Sequence, residues 1–165
     1  MRPRSALACL FALALAASGC GGDCLPEPSA DATPPGVRLT VSYVEAATGR
    51  QATRTVAVGD TTVAVDADAG TLVRVVYAAA DSAGMRGLLL GATFQLTAGM
   101  GVHHQARRIP PVTASCPRAE LTGEASFPGG GERRDLILSA AAENWAGRRA
   151  VTPDLVVRFR LPPRP

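Results

Sequence analysis

The chain has 165 residues, with 17 arginines, no lysine, 14 acidic residues and a formal charge of +3. Nearly half of it (47%) is hydrophobic but only 4% is aromatic, which supplies one domain core and few rings for stacking bases. No basic stripe interleaved with aromatics occurs, so a nucleic-acid partner is not expected.

The chain opens with a leader. Arg2 and Arg4 precede an apolar run from Ala6 to Ala17, and the small residues Ser18 and Gly19 lead into Cys20. A positive start, a short apolar core and small residues are the signature of a signal peptide over residues 1–19. The run is shorter than the roughly 20 residues that span a bilayer. Ala17-Ser18-Gly19-Cys20 resembles the lipobox of bacterial lipoproteins, with Ala17 where that family more often has leucine. The resemblance implies cleavage before Cys20, a lipid on its sulfur, and an extracytoplasmic domain attached to the membrane through its N-terminal lipid. Gly21, where an aspartate would retain the protein at the inner membrane, implies the outer membrane in a cell that has one. Removing the leader also removes Arg2 and Arg4, and the formal charge falls to about +1.

Cys9 leaves with the leader and Cys20 is the lipidation residue, so Cys24 and Cys116 remain as one even pair. In an exported protein such a pair reads as a disulfide, with two free thiols as the alternative. Neither has a second ligand at CxxC spacing, so no metal is expected there. Residues 20–36 are rich in Pro, Gly and small residues and read as a flexible tether. If Cys24 pairs, the alternative is a segment packed along the domain.

From Val37 the pattern acquires a period of two: Val37, Leu39, Val41 and Tyr43 share one face. Further strands are predicted at Ala52–Val58, Thr61–Asp66, Thr71–Ala80, Arg86–Leu96, Leu136–Asn144 and Leu155–Leu161. Turn clusters at Thr48-Gly49, Gly59-Asp60, Asp68-Ala69-Gly70, Ala83-Gly84, Gly129-Gly130-Gly131 and Ala146-Gly147 separate them. About seven short strands over residues 37–161, with 162–165 as a tail, predict an all-β antiparallel sandwich rather than an α/β fold. Helical periodicity is not sustained after the leader. The alanines of Ala140–Asn144 follow Leu136-Ile137-Leu138 and precede Gly147, which favours a strand.

Two stretches add a resemblance. VRVVYAAADSAGMRGLLL (73–90) and LILSAAAENWAGRRAVTPDLVVRF (136–159) are similar to strand–turn–strand patterns of bacterial immunoglobulin-like domains. In both, Asp or Asn can bond its own backbone at the turn and Gly can take a positive φ. The Cys-Trp-Cys order of antibody domains does not occur, because Trp145 follows Cys116. The resemblance implies a module that binds, adheres or spaces other parts.

Candidate chemistry is sparse. Asp66-Ala67-Asp68-Ala69-Gly70 resembles the start of a calcium loop but is followed by Thr71-Leu72-Val73, which offers one hydroxyl and no closing acid. Asp60 and Asp81 read as turn residues. His103 and His104, adjacent on an extended segment, face opposite sides and would not share a metal. No Gly-x-Ser-x-Gly elbow occurs, and Ser115 beside Cys116 has no activating context. Gly99–Pro117 is the longest stretch without pattern, either a binding loop or a structural crossover. Trp145, Arg148 and Arg149 are the candidate binding residues: the indole offers an apolar face and the arginines pair with acids. The alternative for Trp145 is a plug over the end of the core. The expected function is a lipid-anchored cell-envelope binding or adhesion module without catalytic activity, metal or cofactor, whose partner is an unknown protein or envelope polymer. A structural accessory subunit of an envelope complex and a secreted hydrolase are the alternatives.

Overall fold

The computed structural model describes residues 24–25, 33–96, 102–109, 116–129 and 134–161. The leader, Cys20, residues 26–32 of the tether, Ser115 and the tail 162–165 lie outside the described residues. Strands occupy 73% of the described residues and no helix occurs among them, so the domain is all-β.

Among the described residues nine strands are seen: β1 (Gly36–Val44), β2 (Gln51–Ala57), β3 (Val63–Asp68), β4 (Leu72–Leu96), β5 (Val102–Arg108), β6 (Arg118–Pro128), β7 (Arg134–Asn144), β8 (Arg149–Val151) and β9 (Leu155–Arg160). They belong to one sheet, with the path β2-β1-β4-β7-β9-β3; β5 and β6 also pair with β4, and β8 with β7. All pairings are antiparallel except β3 with β9, so the orientation is mixed. A bridge between Glu45 and Ala67 joins the end of β1 to β3 and makes a nearly closed barrel.

β4 organises the molecule. Its first half, 72–80, is flanked by β1 and β6; its second, 85–96, by β7 and β5. The sequence predicts two strands here, broken at Ala83-Gly84, whereas the structure has one continuous strand with a bulge. The register against β6 shifts between Ala80 and Met85, and against β7 between Met85 and Gly87. Because side chains alternate, an odd insertion exchanges the two faces. Val73, Val75, Tyr77 and Ala79 are buried before the bulge, and Leu88, Leu90, Ala92 and Phe94 after it. The turn-forming residues produce the bulge: Gly84 takes φ +81°, and the Asp81 carboxylate accepts a hydrogen bond from the Ala83 N–H at 2.7 Å.

The core collects the inward faces of both halves, including Leu39 and Val41 of β1, Leu136 and Leu138 of β7, and Leu155, Val157 and Phe159 of β9. β6, not predicted from the sequence, contributes Leu121, Ala125 and Phe127. Phe127 meets Phe94 edge to face, with ring centroids 5.7 Å apart, and joins β6 to the second half of β4. Two glycines permit close approaches. A Cβ on Gly123 would collide with the Tyr77 ring, and one on Gly129 would sit 2.6 and 2.7 Å from the carbonyl oxygens of Ala69 and Thr71.

Candidate functional site: a cationic groove beside a disulfide clasp

Cys24 and Cys116 are joined by a disulfide with a Cα–Cα separation of 4.8 Å, well within the usual range. The Leu25 N–H donates to the Pro117 carbonyl at 2.6 Å. A Cβ on Gly84 would lie 3.1 Å from Pro117, 3.2 Å from the Trp145 ring and 3.4 Å from Leu25. The start of the sequence-predicted tether is therefore clasped onto the bulge of β4. Farther along, the fully buried Asn144 donates from its amide to the Thr33 carbonyl at 3.0 Å and to Asp81 at 3.1 Å. Its side-chain oxygen accepts from the Arg148 N–H at 2.8 Å. One side chain thus ties together the end of β7, the bulge and the chain entering β1.

Next to the clasp lies a groove of about 800 Å³. Its floor follows from the register of the second half of β4. On the outer face, Gly87 pairs with Glu143 and Glu143 with Arg149; one step along, Arg108, Leu89, Ala141 and Val151 stand side by side on four strands. At strand spacings near 4.8 Å, that row is roughly 14 Å wide. The middle is low because Gly87 and Ala141 are small, while Arg108, Ile109, Trp145 and Val151 form its sides.

The electrostatics are unbalanced. Arg86 and Arg149 both contact Glu143, at 2.7 and 2.9 Å. Arg86 also lies 6.0 Å from the centroid of the Trp145 ring, at the edge of cation–π range. Arg108 makes no ion pair among the described residues, so three arginines stand against one glutamate. Arg149 is 77% exposed, and such a pair contributes at most about 1 kcal/mol to the fold. Its guanidinium can therefore exchange Glu143 for another oxyanion at low cost. A carboxylate, phosphate or sulfate beside exposed Val151 fits this lining.

The candidate binding residues divide. Trp145 and Arg149 are both on the groove, whereas Arg148 is exposed and does not line it. Trp145 is half-buried beside Gly84 at the clasp, and its indole N–H, buried, finds no acceptor among the described residues. Arg86, Arg108 and Glu143 escaped sequence reasoning, because only the register brings residues so distant in the chain together. Arg107-Arg108, in the middle of the unpatterned stretch Gly99–Pro117, was the one available signal.

The other candidates have structural partners. Asp60 accepts from the Ala57 N–H and Asp68 from the Gly70 N–H, each closing a turn. Asp66 pairs with Arg160 at 3.5 Å. His104 bonds the Thr93 hydroxyl at 2.9 Å; the side chain of His103 lies outside the described residues. Among the described residues no three His, Cys, Asp or Glu side chains converge as a metal site. A second, smaller hollow of about 320 Å³ lies over the first half of β4, where Arg38 is balanced by Glu120. The chain matches no protein-family model and no curated protein.

Proposed function

We propose that the protein is a lipid-anchored, extracytoplasmic binding module, its nearly closed sheet a variant of the immunoglobulin-like β-sandwich, that holds an anionic component of the cell envelope without transforming it. The observation that carries this reading is the groove, with three arginines around one glutamate on adjoining strands. Side chains on regular strands are held more firmly than side chains on loops, and arginine recognises oxyanions with two parallel hydrogen bonds. The lipobox at Cys20 supplies the location.

The clasp favours a second reading, a structural accessory subunit of an envelope complex, because it joins the attachment segment to the sheet through a covalent bond. Crosslinked capture from envelope extracts separates the two readings, using wild type, Cys20→Ala and Arg149→Ala. A binding module loses its crosslinked partner in Arg149→Ala, whereas an accessory subunit keeps it. If Cys20→Ala remains membrane-associated and no acyl label enters wild type, the anchor is refuted.

A further inference from the structure

The groove and the attachment point are at the same corner. Trp145 lines one end of the groove and also packs at the clasp, beside Leu25 and Pro117. Cys24 is four residues beyond Cys20, and four residues extend at most about 14 Å. A chain lipidated at Cys20 is thus held at the clasp within that distance of the bilayer, although sixteen residues separate Cys20 from the start of β1. Residues 20–36 would otherwise allow the domain to stand away from the membrane; the disulfide shortens that tether to its first four residues.

We infer that the groove takes the phosphate of an anionic phospholipid in the membrane that carries the anchor. This rests on the lipid-anchored reading above and names the ligand of the same site. Three features support a headgroup. The groove has an excess of two positive charges, counting Arg86, Arg108 and Arg149 against Glu143. A negative membrane surface attracts cations only within about a Debye length, roughly 8–10 Å, and the clasp keeps this corner near that layer. Apolar side chains, Leu89, Ile109 and 56%-exposed Val151, adjoin the cations and suit the glycerol and first methylenes next to a phosphate. When a phosphate enters, Arg149 turns from Glu143 to its oxygens while Arg108 meets it from across the groove. Glu143 competes with the ligand for Arg149.

Trp145 is the only tryptophan of the chain, so its fluorescence reports on this site alone. The full lipid-bearing protein is incorporated into vesicles of phosphatidylcholine, with or without phosphatidylglycerol, and flotation and Trp145 emission are read together. Flotation with phosphatidylcholine alone reports the anchor; a salt-sensitive change in emission on adding phosphatidylglycerol reports the groove. The phosphatidylglycerol dependence is expected to weaken about fivefold in each of Arg108→Ala and Arg149→Ala and to strengthen in Glu143→Gln. Flotation on phosphatidylcholine with identical emission in both vesicles overturns the groove assignment and leaves the anchor standing. A protein that floats only on phosphatidylglycerol, in an arginine-dependent way, overturns the anchor and supports the groove. Polyglutamate, added to protein held in phosphatidylcholine vesicles, tests an acidic protein or polymer as occupant. A Trp145 response to polyglutamate but not to phosphatidylglycerol overturns the inference.

Discussion

The two halves of β4 pack their inner faces alike and differ outside. In the first half, Arg74 and Val76 point to solvent, and the hollow above this part of the sheet is charge-balanced. In the second, Gly87, Leu89 and Gly91 are only half-buried, and the surface beyond them is a groove with an excess of arginine. The outer face of the first half is itself largely apolar, with Leu72 48% and Val76 39% exposed and Ala78 and Ala80 beside Arg74, so the polarity of β4 does not separate the halves. The flanking strands do, with Arg38 against Glu120 over the first half and Arg108 and Arg149 against Glu143 over the second. The bulge between the halves makes the difference possible, because it exchanges the faces of the strand within one continuous element.

The largest expected effect tests that exchange. Leu88, Leu89 and Leu90 are adjacent, but only Leu88 and Leu90 are buried. Leu90→Ala should cost about 2–5 kcal/mol, as large-to-small core changes do. Leu89→Ala should cost no more than about 1 kcal/mol, in keeping with partial burial. Denaturant melts of the two variants decide the matter, and equal losses would contradict the register.

Removal of the clasp comes next. Cys24 and Cys116 are 92 residues apart, and the Cys24→Ser, Cys116→Ser double variant should lose about 2–4 kcal/mol. Hydrogen exchange should rise near Pro117 and Trp145 while the β1–β2 pairing stays protected. Uniform loosening would show that the clasp braces the whole barrel rather than one corner. Asn144→Ala then tests the junction alone: it leaves the Thr33 carbonyl and Asp81 without their amide donor and should cost about 1–3 kcal/mol. A thermal melt unchanged from wild type would remove Asn144 from the account of the bulge.

The smallest effect is on pH dependence. Burial raises the Tyr77 phenol above its usual 10.0, opposed by Arg107. Tyr43 is raised as well, chiefly by burial and then by Glu45 and Asp66, against the lowering effect of Arg54. The fold favours the neutral phenols, so their contribution to stability is intact below pH 10 and is lost as pH rises beyond it. Tyrosinate absorbance of Tyr43→Phe follows Tyr77 alone. Its native midpoint should exceed that of the unfolded chain; a midpoint at or below it would contradict the burial.

Legibility in the sequence cuts across that division, because each half of β4 has one readable and one unreadable flanking strand. β1, β7 and β9 were readable because one face is apolar, as in Val37, Leu39 and Val41 or Leu155, Val157 and Phe159. β6 was hidden because its inward positions, Leu121, Gly123, Ala125 and Phe127, include a glycine and an alanine. Close contact with Tyr77 requires that glycine, so the residue that packs best weakens the pattern. β5 was unreadable for another reason: from His104 to Arg108 its side chains are exposed, and nothing marks a buried face. Asp81-Ser82-Ala83-Gly84 has the chemistry of a turn and forms a bulge, because local geometry is shared and only the partners β6 and β7 distinguish the two. Trp145 and Arg149 could be selected from the sequence. Their neighbours Arg86, Arg108 and Glu143 could not, since their meeting depends on the shifted register.

The most direct test of a groove confined to the second half of β4 is photocrosslinking of the membrane-bound, full-length chain. A photoreactive residue replaces either Val151, in the groove, or Val76, exposed on the first half. Adducts with an envelope component are expected from position 151 and not from position 76; adducts from 76 alone, or in equal yield from both, would contradict the assignment of binding to the groove.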